Sequence, residues 1–160
     1  MKSSDELKHP DHAGVAFRPP LLLLVCLGVG FLLRWWTPLS VPMSTVPSMV
    51  GPAIAALAFA IFFWAVRTML RGHASIPTDT PTDAIVTGGP FRFSRNPIYL
   101  SMILLQIGVG VWTTSLWFFV LAAVSVGLLT WGVILREERY LEQKFTNEYL
   151  SYKSRVRRWI

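Results

Sequence analysis

Cysteine is nearly absent from the chain: Cys26 is the single cysteine among 160 residues. One cysteine cannot form an intrachain disulfide, and three scattered histidines (His9, His12 and His73) lack the spacing of a zinc or iron site. No metal is therefore expected. Cys26 lies in an apolar run and is predicted to be a small, buried packing residue.

Charged residues are also scarce, at 15%, whereas soluble domains typically have about 25%. Hydrophobic residues make up 52% of the chain, and they occur in long blocks. Blocks of this kind indicate a bilayer environment and not a water-soluble core. The length favours a single domain that spans residues 1–160.

The net charge of +6 does not indicate nucleic-acid binding. The lysines and arginines stand at the ends of the apolar blocks, as expected for a membrane protein that faces an anionic lipid leaflet. The expected partners are therefore membrane lipids and a lipid-like small molecule, with no nucleic acid.

The hydrophobic pattern predicts an all-α fold, a polytopic transmembrane helical bundle. Four stretches are predicted to cross the bilayer: 20–39, 50–70, 97–112 and 115–135. The third falls short of the roughly 20 residues that a spanning helix needs. The turn Thr113-Thr114-Ser115 between it and the fourth is brief, so the two are expected to form a tight antiparallel hairpin. Gln106 should hydrogen-bond between helices, and Ala56 and Ala60 should pack against a neighbouring helix.

The distribution of lysine and arginine orients the bundle. Basic residues precede the first stretch, occupy the connection from 71 to 96 and follow the fourth stretch, whereas the loop from 40 to 49 has none. The positive-inside rule places both termini in the cytoplasm. The first 17 residues are predicted to be a polar tail, and tryptophans mark the opposite end: Trp35, Trp36, Trp112 and Trp117.

A cytoplasmic amphipathic helix is predicted over 137–157. Its apolar residues recur at spacings of three and four on one face: Leu141, Phe145, Tyr149, Tyr152 and Val156. Such a helix either lies on the membrane interface or closes over the bundle.

The informative polar residues fall in two segments, TGGPFRFSRNP (87–97) and REERYLEQKF (136–145). One precedes the predicted hairpin and the other follows it, so both should flank the same opening. Asn96 suits an N-cap and Pro97 the first helical position. Arg95 is either an interfacial anchor or a ligand for a carboxylate or phosphate.

If the fourth helix ended near Leu135, Glu137 and Glu138 would lie at its C-terminus, where carboxylates are unfavourable, and they would also face an anionic leaflet. Either the helix continues past them, or a cationic group offsets them. Arg136 and Arg139 are candidate partners. A ligand ammonium or ribose hydroxyl group is the functional alternative.

The two segments together resemble the isoprenylcysteine carboxyl methyltransferase family, which is related to the membrane phospholipid N-methyltransferases. The resemblance covers about Thr87 to Trp159. The family pattern is matched by a Gly-Pro-Phe-Arg stretch, an Arg-x-Pro-x-Tyr motif, an acidic pair and an aromatic tail: Gly89, Pro90, Phe91, Arg92, Arg95, Pro97, Tyr99, Glu137, Glu138, Phe145, Tyr149 and Tyr152. Three positions depart from it: Asn96 replaces histidine, and Ser101 and Thr146 replace glycine.

The resemblance implies S-adenosylmethionine as cofactor, held at the cytoplasmic end of the hairpin, and a lipophilic methyl acceptor. It implies these cofactor-binding residues: Gly89, Arg92, Arg95, Asn96, Tyr99, Glu137 and Glu138. No catalytic residue is assigned. An amine acceptor must lose a proton, and since no base stands out in the sequence, a prenylcysteine-type carboxylate is favoured.

Other functions also fit these residues. A phospholipid amine or a small lipophilic thiol is an alternative acceptor. A nicotinamide-dependent membrane reductase of the sterol-reductase type and an inactive membrane adaptor are the alternatives to a methyltransferase. The compact chain favours a bacterial inner membrane over an endoplasmic reticulum.

Overall fold

The protein is all-α in its described parts. The computed structural model describes residues 14–42, 48–72 and 84–160. The helices are α1 (Pro19–Trp36), α2 (Val50–Arg71), α3 (Pro97–Thr113), α4 (Leu116–Leu129) and α5 (Leu135–Arg155). Those residues contain no β-strand, only an isolated bridge between Ser40 and Ser115. Most of the predicted polar tail, all three histidines and the connection 73–83 lie outside the described residues.

Within the described segments, three helices are long and apolar enough to cross a membrane: α1, α2 and the continuous helix Leu116–Arg155. The fourth apolar helix, α3, is shorter, as its sequence predicted. Prolines stand at the start of α1 and α3, where the missing N–H group of proline costs no helical hydrogen bond. The prediction of a helical membrane bundle is confirmed.

Helices α2 and α3 pack with close backbone contact at two glycines. A Cβ atom on Gly108 would lie 2.8 Å from the Ala55 nitrogen, and one on Gly51 would lie 2.4 Å from the Trp112 nitrogen. Only glycine permits this separation, since any side chain would push the helices apart.

The packing face of α2 differs from the predicted one. Ala56 and Ala60 are exposed, and the buried positions of α2 are Gly51, Ala58 and Ala65. The seven-residue repeat of these three follows the heptad spacing of a helix seam. The prediction for Ala56 and Ala60 was wrong because small residues occur on several faces of α2.

A tight turn joins α3 to α4, as predicted. Thr114 takes a left-handed conformation (φ 49°), and the Ser115 N–H donates to the Gly110 carbonyl at 3.0 Å. The Leu116 N–H donates to the Leu39 carbonyl at 2.9 Å, which ties the segment after α1 to the hairpin. This is the tryptophan end of the bundle, where Trp35 and Trp112 are exposed.

Helix α4 passes into α5 through one π-helical turn, Thr130–Ile134. The Ala16 N–H donates to the Gly132 carbonyl at 3.0 Å within this turn. Phe17 packs so closely that a Cβ on Gly132 would lie 2.6 Å from its ring. A π turn holds an extra residue, so it shifts the face that the following helix presents.

A buried polar group joins α1, α3 and α4 inside the bundle. The Ser125 hydroxyl lies 3.2 Å from Gln106 Oε1 and 3.3 Å from Cys26 Sγ. Gln106 and Cys26 are both buried. The predicted interhelical role of Gln106 and the predicted burial of Cys26 are confirmed.

The apolar face of α5 packs onto the bundle. Tyr149 and Tyr152 are buried in one cluster with Phe91 and Ala65, and Phe145 packs against it. Of the two alternatives for this helix, the structure has the one in which it closes over the bundle. The helix is interrupted at Thr146, whose φ is 31°.

Candidate functional site

The two polar segments of the sequence meet at one end of the bundle. Arg95 lies just before α3, and Glu138 lies in the first turn of α5. Arg95 Nη2 is 3.1 Å from Glu138 Oε1. The predicted convergence is therefore present. We call the end of the bundle that contains Arg95 and Glu138 the basic end.

Glu138 is buried between two guanidinium groups. Arg158 donates from Nε to Oε1 at 2.9 Å and from Nη2 to Oε2 at 2.8 Å, in a bidentate pair. Burial acts to raise the pKa of Glu138, but the Arg158 hydrogen bonds and the charges of Arg95 and Arg158 outweigh it and lower that pKa. We call Arg95, Glu138 and Arg158 the ion cluster.

The expected partners of the acidic pair were wrong. Arg136 Nη1 donates to the Gly14 carbonyl at 2.8 Å, and Arg139 Nε donates to the Leu135 carbonyl at 3.1 Å. Neither takes part in the ion cluster. Arg158 is the partner of Glu138 instead, although it stands 20 residues later in the chain. No sequence periodicity links the two positions.

The last residues of the chain cross the N-terminus of α3. The Arg95 N–H donates to the Arg157 carbonyl at 3.0 Å, and Asn96 Nδ2 donates to the Arg158 carbonyl at 3.0 Å. Asn96 occupies the N-cap position, but its side chain makes no capping bond. Its amide holds the C-terminal tail (156–160) instead, so the predicted capping role is corrected.

Arg95 has donors left over after its ion pair. The side chain is only 8% exposed, and Nε and Nη1 are buried without a hydrogen-bond partner among the described residues. Buried donors without partners are costly and uncommon. An oxygen of a carboxylate or phosphate placed against either of these two groups would satisfy a buried donor.

Glu137 has a different environment from its neighbour. The Tyr99 hydroxyl donates to Glu137 Oε1 at 2.8 Å, and the Tyr99 side chain is buried. Burial and the adjacent charge of Glu138 raise the pKa of Glu137 to about 7, against the opposing effect of the Tyr99 hydrogen bond. The two adjacent carboxylates therefore have opposite pKa shifts: the pKa of Glu137 is raised and that of Glu138 is lowered.

Gly89 and Arg92 lie in a short 3-10 turn, Gly89–Arg92, before Arg95. Gly89 has a φ of 57°, and a Cβ there would lie 2.9 Å from Thr68 Oγ1. This accounts for glycine at that position without a ligand. Arg92 is exposed and takes no part in the ion pairs of the described residues. Three of the seven predicted site residues, Arg95, Asn96 and Glu138, are thus linked through direct contacts and Arg158. Tyr99 and Glu137 form a separate hydrogen bond next to them.

Tyr152 connects α5 to the 3-10 turn, since its hydroxyl donates to the Phe91 carbonyl at 2.8 Å. Tyr152→Phe is expected to lower the free energy of unfolding by about 1 kcal/mol, because the buried carbonyl loses its partner. Tyr149→Phe is the matched control. Tyr149 packs edge-on against Tyr152, and its hydroxyl has no hydrogen bond among the described residues. Equal losses in denaturant unfolding would contradict this role for the Tyr152 hydroxyl.

Metal ligation has no support in the described segments (14–42, 48–72 and 84–160). They contain no group of three or more histidine, cysteine, aspartate or glutamate side chains placed to hold an ion.

The sequence matches the profile of a known protein family. The profile of the phospholipid methyltransferase family matches residues 46–148. This range includes α2, the 3-10 turn, the hairpin and the acidic pair.

Two relatives come from bacteria. An uncharacterized protein of Haemophilus influenzae is 35% identical over 63 residues, which are 39% of this chain and all of that protein. The cobalt-zinc-cadmium resistance protein CzcN of Cupriavidus metallidurans is 33% identical over 74 residues, 46% of this chain. The match spans about a third (34%) of the CzcN length.

Proposed function

The chain belongs to the phospholipid methyltransferase family, and on this premise we propose that it is a membrane-embedded, S-adenosylmethionine-dependent methyltransferase with a lipophilic acceptor. The observation that carries the proposal is the buried guanidinium of Arg95. Its Nε and Nη1, which have no hydrogen-bond partner among the described residues, lie at the N-terminus of a membrane helix, beside the carboxylate of Glu138.

These residues fit the polar groups of the cofactor. The free Arg95 donors suit the carboxylate of its methionine part, because a hydrogen bond between a guanidinium and a carboxylate is strengthened by both charges. Glu138 already binds Arg95 and Arg158, so Glu137, which accepts a hydrogen bond from Tyr99, is the carboxylate that suits the ammonium. Gly89 would permit close backbone approach, and Asn96 and the exposed Arg92 would supply further polar contacts. The cofactor supplies a methyl group on a positively charged sulfur.

The remaining residues exclude water and align the reactants. Tyr149 and Tyr152 close one side of the basic end, and the tail closes the start of α3. A dry, aligned site favours displacement at the methyl carbon, since no solvent competes with the acceptor. The candidate acceptors are a prenylcysteine-type carboxylate, a phospholipid amine or a lipophilic thiol.

The membrane orientation follows from charge. With the basic end on the cytoplasmic side, both termini and the site face the cytoplasm. The two bacterial relatives favour a bacterial inner membrane.

Calorimetric titration of S-adenosylhomocysteine into the detergent-purified full chain tests the proposal. Wild type should bind saturably, and Arg95→Lys should weaken binding about 10- to 100-fold. Lysine keeps a positive charge opposite Glu138 but lacks the additional N–H donors of the guanidinium group. Arg139→Met is the control, because Arg139 is exposed and outside the ion cluster.

A folded wild type that binds no S-adenosylhomocysteine would refute the proposal that the protein is a methyltransferase. Binding of reduced nicotinamide dinucleotide in its place would favour the reductase. Binding of neither would favour an adaptor.

A further inference from the structure

Four exposed side chains gather where the C-terminal tail (156–160) crosses the segment before α3. Two are arginines, Arg155 and Arg157. The other two are apolar: Phe93 is 70% exposed and Ile160 is 77% exposed. We propose that these four side chains, the outer tail face, bind one anionic phospholipid. Its phosphate contacts the two guanidinium groups, and its acyl chains contact the two apolar side chains.

The backbone of the tail directs both arginines outward. Val156 is extended (φ −122°, ψ 131°), and its side chain packs inward against the cluster that contains Tyr149 and Tyr152. Side chains on either side of an extended residue point away from the side that it faces. Arg155 and Arg157 flank Val156, so both guanidinium groups are directed away from the protein and are available to one phosphate.

A backbone hydrogen bond brings the apolar members next to the arginines. The Arg95 N–H donates to the Arg157 carbonyl at 3.0 Å, which holds the segment before α3 against the tail. Phe93 lies two residues before Arg95, and Ile160 lies three residues after Arg157. The exposed basic and apolar side chains therefore belong to two segments in direct contact.

The outer tail face lies at the level where the bilayer begins. Arg158 binds Glu138, so the end of the chain returns to the first turn of α5. That turn follows the apolar stretch of α4 and the π turn, and the apolar helix α3 begins close by at Pro97. Lipid headgroups lie at such helix ends, where basic side chains meet phosphates and apolar side chains enter the acyl boundary.

The charge of this face favours an anionic headgroup. Arg157 has no carboxylate partner among the described residues, and Arg155 Nε donates to the Ser151 carbonyl of its own helix at 3.1 Å. The exposed Glu148 lies seven residues before Arg155, about 10 Å along the helix, where salt screens most of its charge. A zwitterionic headgroup adds a cation next to its phosphate, and the two guanidinium groups repel that cation.

Lipid binding at this face also stabilises the tail. Arg157 directs its guanidinium to the lipid while its carbonyl accepts from the Arg95 N–H. A lipid that holds Arg157 therefore reduces the opening of this hydrogen bond. The tail lies outside residues 46–148, which match the family profile, and the inference does not depend on the proposed function.

Native mass spectrometry of the detergent-purified full chain tests the preference, with phosphatidylglycerol and phosphatidylcholine of the same acyl chains as probes. Wild type should retain phosphatidylglycerol more tightly. Arg155→Gln/Arg157→Gln should raise its dissociation constant about 25-fold, since each guanidinium contributes about a fivefold factor towards an anionic lipid. Arg71→Gln/Arg139→Gln is the matched control, because it removes the same charge from two exposed arginines outside the outer tail face.

Hydrogen–deuterium exchange in nanodiscs gives a second readout. The Arg95 amide of wild type should exchange several-fold more slowly in phosphatidylglycerol than in phosphatidylcholine. The difference should disappear in Arg155→Gln/Arg157→Gln. Phe93→Ala should weaken the binding of both lipids to the same extent, because contact with acyl chains does not depend on the headgroup.

Three results would overturn the inference. The first is equal affinity of wild type for the two lipids, and the second is an equal loss in the charge-matched control. The third is displacement of phosphatidylglycerol by soluble glycerophosphoglycerol, which would make the face a site for a free phosphate ester. Failure of wild type to bind S-adenosylhomocysteine would refute the proposed function and leave this inference standing.

Discussion

Glu138→Gln is expected to lower the free energy of unfolding by about 3 kcal/mol, at the low end of the range for breaking a buried ion pair. The variant leaves Arg95, only 8% exposed, without a counter-charge, and it removes the bidentate partner of Arg158. The amide oxygen still accepts one hydrogen bond, which keeps the loss below that of a full truncation. Denaturant unfolding in detergent measures the difference.

Glu142→Gln is the matched control on the same helix. Glu142 pairs with Lys153, and both side chains are about one-third exposed. An exposed pair of this kind contributes about 0–1 kcal/mol. A loss as large as that of Glu138→Gln would mean that burial does not set the strength of the ion cluster.

The pH dependence gives the same experiment a second readout. The pKa of Glu138 is lowered in the folded protein, so its stabilising effect is complete above the unfolded-state value of about 4.3. That effect disappears as the pH falls through the folded-state pKa. The gap between wild type and Glu138→Gln should therefore close in strongly acidic buffer, and a gap that persisted there would contradict an electrostatic origin.

The sequence predicted the bundle because the bilayer imposes a simple pattern. Apolar runs of sufficient length become helices, and prolines 19 and 97 stand where α1 and α3 begin. The hairpin brings Arg95 to Glu138 as expected, because two segments that flank one short turn of a helix pair must lie at the same end.

The contacts of the C-terminal tail (156–160) with the site could not be predicted from the sequence. Arg157 contributes a backbone carbonyl, which any residue type supplies, so its contact with Arg95 has no signature. Arg158 was interpreted only as one of the basic residues that orient the chain. No sequence pattern predicts the π turn at 130–134 either. This turn nevertheless determines the helix face on which Glu137 and Glu138 lie. One extra residue rotates the following helix by about 100°.

A second large loss of stability is expected at the opposite end of the bundle. Gly51→Ala should lower the free energy of unfolding by about 3 kcal/mol, the upper part of the range for overpacking. The new methyl group would lie 2.4 Å from the Trp112 nitrogen and 2.6 Å from its Cα. These are backbone atoms of a helix, so no side-chain rotation relieves the contact, and α2 and α3 must separate.

Gly28→Ala in α1 is the matched control, because a Cβ at Gly28 meets nothing within 4 Å. Its free energy of unfolding should equal that of wild type or exceed it by up to about 1 kcal/mol, because alanine is the better helix former. Gly51 and Trp112 lie at the tryptophan end, whereas Arg95 and Glu138 lie at the basic end. The fraction of Gly51→Ala that remains folded should therefore bind S-adenosylhomocysteine with wild-type affinity, if wild type binds it. Weakened binding per folded molecule would mean that the α2–α3 seam transmits its packing to the start of α3, because α3 contacts Gly51 at one end and carries Tyr99, the hydrogen-bond partner of Glu137, at the other.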